Sequence, residues 1–313
     1  MTYVLEDTAS SKIDQAVDVS SVRINLKYPT NNFELYTWEY CPVAYKILLA
    51  LEYKAHAHKD IDFLQHSVPP HQVAQLQRKS GSQTPPYLKV VYKSSKEEAW
   101  INDQRQIIRL LDDDFPQNPL LHARQEGSLH SEVILLEDWL HESLLKPYLI
   151  FLYQNDLNFN KALKSWLGNN DKLINRARLK IFRQERLWQL NITLINQEQI
   201  YNQAFKRLDD EVFPIISERL EINQNRGMSF ICGGEPSVAD FTLYAFLRML
   251  LSFEEANLVI RRPVLHTYIE AFEALPLLSN KGLIKTTSAT EGRRIRDNTD
   301  TLGVRKVVLG RNR

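Results

Sequence analysis

The chain changes its hydrophobic period once, near Pro116, and that change decides what it can fold into. Before it, short stretches with side chains alternating two by two are interleaved with stretches of helical spacing. After it, apolar residues recur at helical spacing almost without a break to Leu275. Strands mixed with helices, then helices alone, predict an α/β unit followed by an all-α unit. At 313 residues the chain is long enough to give each a core of its own.

The first unit reads strand, helix, strand, helix, strand, strand, helix. Phe33–Thr37 partly alternates as a half-buried strand, and Val43, Ile47, Ala50 and Leu51 fall at helical spacing. His56–Phe63 alternates again and predicts a second strand, returning parallel to the first in a right-handed βαβ unit. His66–Lys79, with Pro69-Pro70, predicts a loop with a short helix. Gly81–Val91 passes from turn chemistry into a third strand, and Ala99–Ile101 gives a fourth after a hairpin turn at Ser94–Glu98. Asp103–Asp112 closes the unit as a helix. Residues 1–30 are polar and form an N-terminal arm, with a short strand expected at Val22–Leu26. Residues 31–116 are the α/β domain, 121–278 the helical domain, and 279–313 a basic tail. Within the helical domain, Glu126–Gln154, Ala162–Leu190, Gln197–Leu220, Phe241–Leu251 and Pro263–Leu275 carry the period. Ser237 with Asp240 three residues on suits a capping box ahead of a helix apolar on nearly every side, which marks a core helix.

The chemistry concentrates in Phe33–Leu51. The short turn Trp38-Glu39-Tyr40 delivers the chain to Cys41-Pro42, and Pro42 suits the first helical position, where its missing N–H has no partner to lose. Cys41 then stands at the helix N-cap, where free N–H groups and the helix dipole favour thiolate. A buried, inert cysteine is the competing reading. Cys41 and Cys232 are the only cysteines, too few for a disulfide framework and suited to a reducing compartment. Cys232, ahead of Gly233-Gly234, reads as structural.

A formal net charge of +1 calls for neither nucleic acid nor a charged membrane, and no apolar run reaches membrane-spanning length. The start of the chain has no basic and apolar leader, so the expected place is the cytoplasm. His56, His58, His66 and His71 come without paired cysteines, so no metal is expected. Trp139, Tyr148, Phe151 and Tyr153 read first as core and second as the wall of an apolar pocket. Tyr36 reads as a sheet residue and Tyr40 as a pocket wall. The arginines and lysine of the tail read as a solvated terminus.

Four motifs, in order, resemble the glutathione transferase superfamily. Tyr40-Cys41-Pro42-Val43-Ala44 is similar to the active-site segment of its cysteine-type members, the omega-like and glutaredoxin-related ones. Pro85-Pro86-Tyr87-Leu88 resembles the segment that carries a cis proline before the third strand, with Pro86 in the cis place. Ile101-Asn102-Asp103-Gln104 resembles the motif that holds the γ-glutamyl group of glutathione. Gly233–Asp240 resembles the capping motif of the buried helix. The resemblance implies a thioredoxin-like domain followed by a helical glutathione transferase C-terminal domain, with the ligand cleft between them. It implies glutathione as co-substrate, no metal, a homodimer, and a small electrophilic or disulfide substrate. Cys41 would be the nucleophile, with Tyr40, Pro42, Pro85 and Pro86 around the cysteinyl part and Asp103 with Gln104 on the γ-glutamyl part.

Two positions depart from the family's pattern. The residue before the cis proline usually pairs through both N–H and C=O, and Pro85 has no N–H. One lost hydrogen bond is worth about 0.5–1.5 kcal/mol. Gln104 stands where a serine is usual. The expected activity is glutathione-dependent thiol transfer or reduction through Cys41, a monothiol route because no second cysteine follows, or conjugation of glutathione to an electrophile. The alternative is a non-catalytic binding or scaffold protein of the same fold that has lost glutathione affinity.

Overall fold

The computed structural model describes residues 32–275 apart from 59–60, 83, 93–96, 123–128 and 169–170, together with 303–306. The N-terminal arm, its expected strand and most of the tail lie outside the described residues. The first domain runs β1 (Asn32–Thr37), α1 (Pro42–Ala57), β2 (Asp62–Ser67), a 3₁₀ turn at Pro70–Gln72, α2 (Ala74–Ser80), β3 (Tyr87–Val91), β4 (Glu98–Ile101) and α3 (Gln104–Asp114). β1 and β2 are parallel, with Phe33 opposite Phe63, while β3 lies antiparallel to β1 and β4 antiparallel to β3. Among the described residues, a strand from the far end of the chain, β5 (Gly303–Lys306), joins the outer edge of β2 and completes the sheet order β4-β3-β1-β2-β5.

Two boundaries differ from the sequence expectation for physical reasons. The second strand begins at Asp62, not His56, because α1 continues to Ala57. Burial of α1 residues through Ala55 outweighs the local alternation of 56–63, and β2 takes its register from β1 instead. The third strand begins at Tyr87, since two successive prolines cannot donate to a ladder.

The helical domain follows: α4 (Leu129–Gln154), α5 (Asp156–Leu167), α6 (Leu173–Gln189), α7 (Gln197–Lys206), α8 (Phe213–Asn225), α9 (Val238–Leu250), α10 (Asn257–Ile260) and α11 (Pro263–Glu273). The expected Ala162–Leu190 helix is two helices, parted at Gly168, whose φ of 47° and ψ of −126° fit no helix. Between α7 and α8 the backbone passes through a π-type turn at Arg207–Val212. Pro214 has no N–H for the carbonyl one turn back, and Phe213 N–H reaches Leu208 O instead. α9 is capped as its sequence asks. Ser237 N–H and Oγ both donate to Asp240 Oδ2, at 2.9 and 2.8 Å, and Ile231 N–H donates to Oδ1 at 2.7 Å.

The two domains share one apolar core. α1 packs against α9, and α9 in turn against α4. Inside that junction lies a charge. Lys46 Nζ of α1, almost wholly buried, donates to Glu137 Oε1 of α4 at 2.7 Å and to Gln104 Oε1 of α3 at 2.5 Å. Thr242 Oγ1 of α9 adds a bond to the same glutamate at 3.3 Å. Burial holds the Lys46 ammonium below its ordinary pKa. Burial alone would raise Glu137, but the Lys46 charge and hydrogen bond outweigh it and hold the carboxyl low. The connector is fixed alongside: Lys54 Nζ pairs with Asp112 at 2.6 Å and donates to Phe115 O at 2.7 Å, while Asp112 accepts from Leu121 N–H at 2.7 Å.

Removing one member of the Lys46–Glu137 pair strands the other in the core. Lys46→Met or Glu137→Leu alone is therefore expected to lower the unfolding free energy by about 3–5 kcal/mol. The double variant should lose clearly less than the two together. Urea unfolding of the four proteins measures this; strictly additive losses would show that the two groups do not depend on one another.

Candidate functional site

Cys41 is the N-cap of α1, with extended φ and ψ of −114° and 101°, and Pro42 occupies the first turn behind it. The turn that delivers it is forced: Tyr40 has a φ of 60°, a conformation uncommon outside glycine. What holds that turn is the helical domain. Tyr148 of α4 donates its hydroxyl to Tyr40 O at 2.8 Å, and Trp166 of α5 donates Nε1–H to Glu39 O at 2.7 Å. The Tyr40 ring stacks on Phe253 at 5.9 Å, and Phe182 of α6 meets the Trp38 ring edge-on at 5.6 Å. Each residue of the turn is thus gripped by a different part of the second domain.

Pro85–Pro86 is the cis bond, both prolines are buried, and Tyr87 follows into β3. Tyr36, Trp38, Val68, Val73 and Tyr87 form a small apolar cluster against which Cys41, Trp100 and Phe182 pack. Cys41 is only partly buried as a residue, yet its thiol faces this apolar surface. Burial pushes the thiol up to about 11, although the backbone N–H groups of Ala44 and Val43 and the charge of Arg186 act to lower it. The expectation of a thiolate near neutral pH is not met in this conformation, because the apolar cover outweighs the helix N-terminus. Burial and the nearby Cys41 raise the Tyr87 hydroxyl to about 12, and those of Tyr148 and Tyr153 further.

Asp103 and Gln104 stand at the start of α3, and both side chains are engaged. Asp103 Oδ1 accepts from Arg105 N–H at 2.7 Å and Gln106 N–H at 3.0 Å, an N-cap bond to its own helix. Gln104 turns to Lys46 in the domain junction. Cys41 and Tyr87 meet in the apolar cluster, with Pro86 next to Tyr87 in the chain, while the Gln104 side chain is committed to Lys46.

The sequence reading missed the cover itself. α6 lies across the 3₁₀ turn at Pro70–Gln72 and beside α4 and α5. Phe182 fills the space between Trp38, Tyr153 and Trp166, with Arg186 stacked on its ring at 4.8 Å. Arg183 latches the helix, donating to Tyr153 O at 2.6 Å and Gln154 O at 3.0 Å at the end of α4. Leu179, Phe182, Arg183 and Arg186 share one face of α6, but their spacing does not say which surface that face meets. Among the described residues, no group of three His, Cys, Asp or Glu is placed to hold a metal, and no helix is long and apolar enough to cross a membrane. Cys232 lies in the helical domain, its thiol raised by burial to about 12.

The family model for glutathione S-transferase, C-terminal domain, matches residues 171–276. Solved structures share this order of a small sheet domain followed by a helical domain. FzlA from C. crescentus superposes with a TM-score of 0.56 at 16% identity, covering 79% of this chain and 90% of its own. The chain has the fold of the glutathione transferases. A glutathione transferase family member from Pseudomonas fluorescens pf-5, solved with two glutathione bound, gives 0.53 at 15% identity over 81% and 93%. Beta-etherase LigF from Sphingobium sp. strain SYK-6 gives 0.54 at 16% identity over 79% and 97%. No curated protein sequence matches significantly. The superfamily resemblance read from the sequence therefore holds for the glutathione transferase-like architecture.

A thiol with a pKa of about 11 is ionised at pH 7 in on the order of one molecule in ten thousand. In a Cys232→Ala background, alkylation of Cys41 by iodoacetamide should be slow at pH 7 and climb with pH without a plateau below about 10. Phe182→Ala removes part of the apolar cover, and alkylation at pH 7 should accelerate at least about tenfold. A wild-type plateau at or below the ordinary cysteine range would overturn this account of the site.

Proposed function

We propose that the protein is a glutathione-dependent thiol enzyme of the glutathione transferase fold, with Cys41 as nucleophile. The observation that supports it best is a cysteine at the N-cap of α1, beside the segment that follows the cis Pro85–Pro86 bond. Withdrawal of Phe182 is part of this reading. It exposes the sulfur, relieves the burial that keeps it protonated, and leaves the Ala44 and Val43 amides and Arg186 to stabilise the anion. The Cys41 thiolate then attacks the glutathionyl sulfur of a mixed disulfide. The substrate leaves as a thiolate that takes up a proton, and Cys41 becomes glutathionylated. A second glutathione thiolate attacks the glutathionyl sulfur of that adduct, releasing Cys41 and oxidised glutathione. Two electrons pass to the substrate and two glutathione sulfurs are joined. Pro86 and the Pro85 carbonyl would dock the peptide-like ligand, and Asp103 would meet the γ-glutamyl amine through the oxygen not used in capping.

Specific features favour a second reading, a binding protein of this fold without glutathione. Gln104 is committed to Lys46, Pro85 offers no N–H, and Phe182 packs on the same apolar cluster as Cys41. Retention on immobilised glutathione, together with thioltransferase turnover of wild type and Cys41→Ser, separates the two. The enzyme reading expects retention and a turnover at least about a hundredfold lower in Cys41→Ser. Absence of both retention and Cys41-dependent turnover, in the Phe182→Ala variant as well, would leave the binding protein.

A further inference from the structure

One buried donor beside Cys41 is left over by the thiol chemistry. Trp38 is 7% exposed and belongs to the apolar cluster on which Cys41 packs. Its Nε1–H has no hydrogen-bond partner among the described residues. An indole N–H can only donate, and a buried one ordinarily finds an acceptor. Trp166 shows the ordinary case: 5% exposed, it spends its Nε1–H on Glu39 O at 2.7 Å. The tyrosine hydroxyls of the Trp38 cluster are engaged elsewhere. Tyr36 donates to Glu34 Oε2 at 2.7 Å, and Tyr87 to Ser82 O at 3.3 Å.

Next to this donor lies a slot that holds a ring. Phe182 occupies it, nearly perpendicular to Trp38 at 5.6 Å, to Tyr153 at 6.0 Å and to Trp166 at 6.3 Å. The Arg186 guanidinium lies 4.8 Å from its centroid. Three aromatic neighbours and a cation around one ring make contacts that another aryl group can inherit. Phe182 itself is only partly buried, and its withdrawal is already part of the thiol reading. Two features therefore select the group that takes its place. A ring recovers the contacts Phe182 gives up, which an alkyl chain does not. An oxygen acceptor on that ring gives the Trp38 N–H its missing partner. Apolar surroundings penalise a carboxylate, so the acceptor is a neutral one such as a carbonyl or nitro oxygen.

We infer that the half of the mixed disulfide that leaves is an aryl thiol bearing a neutral oxygen acceptor. Its ring takes the place of Phe182, and its oxygen accepts from Trp38 Nε1–H. This rests on the proposed thiol chemistry and adds the substrate class to it. Trp38 is the residue that sets specificity for the departing half.

Turnover of three kinds of glutathione mixed disulfide tests the inference. They carry acetylthiophenol (meta and para), isopropylthiophenol (meta and para), which has a similar shape without the acceptor, and n-butanethiol. In Trp38→Phe, which keeps a ring in the cluster, the preference in kcat/KM for acetyl over isopropyl should fall about tenfold from the wild-type value for at least one isomer. The unequal reactivity of the two thiols cancels in that comparison. Phe182→Ala, which clears the slot, should shift the enzyme further towards both aryl compounds over n-butanethiol; where Trp38→Phe fails to fold by circular dichroism, this second variant decides. Cys41-dependent turnover with an unchanged acetyl preference in folded Trp38→Phe, or a Phe182→Ala variant that turns towards n-butanethiol, overturns the inference alone. A wild type with no Cys41-dependent turnover of any of the compounds overturns the thiol chemistry, and this inference with it.

Discussion

A single ammonium group, Lys46 Nζ, is the point on which the two domains agree. It reaches from α1 into the junction and finds Glu137 of α4 and Gln104 of α3. An ion in an apolar core is tolerated only where it is paired, and this one joins three helices, α1, α3 and α4. The same bond commits the Gln104 side chain to the domain junction. Gln104 was a candidate clamp for its place in the motif, and the long amide that stands there instead of a serine is what lets it reach inward.

Around Cys41 two electrostatic influences oppose one another. The start of α1 offers backbone N–H groups and the positive end of a dipole, both favouring an anion. The apolar cluster of Trp38, Tyr87 and Phe182 favours the neutral thiol, and in this conformation it prevails. Most of that cover belongs to the first domain; α6 adds Phe182, while Arg186 of the same helix acts in the opposite direction. The turn bearing the thiol is held by Tyr148 and Trp166 through its backbone carbonyls, so the helical domain fixes where the sulfur stands.

Much of this was legible in the sequence where a local rule and the tertiary environment agree. The α/β-then-helical order, the position of Cys41 ahead of Pro42, and the Ser237–Asp240 cap all follow from periodicity and end-capping chemistry that act within a few residues. The second strand was misplaced because His56–Phe63 alternates locally, yet α1 buries residues through Ala55 and carries the chain past that pattern. Gln104, Phe182 and Arg186 were opaque for a different reason. Their roles depend on partners 58 or more residues away for Gln104, and on the path of α6 over the first domain, neither of which leaves a local signature. The thiol's protonation is the same lesson in energetic form: the helix start can be read from five letters, whereas the desolvation that outweighs it cannot.

The strand at Gly303–Lys306 has a bearing on how the molecule comes into being. It lines up on β2, yet more than two hundred residues separate the two in the chain. During synthesis from the N-terminus, the side of β2 that Gly303–Lys306 pairs with waits for that segment until the helical domain has emerged. Sealing that border is thus the work of a segment that follows the helical domain and returns to the α/β domain made before it.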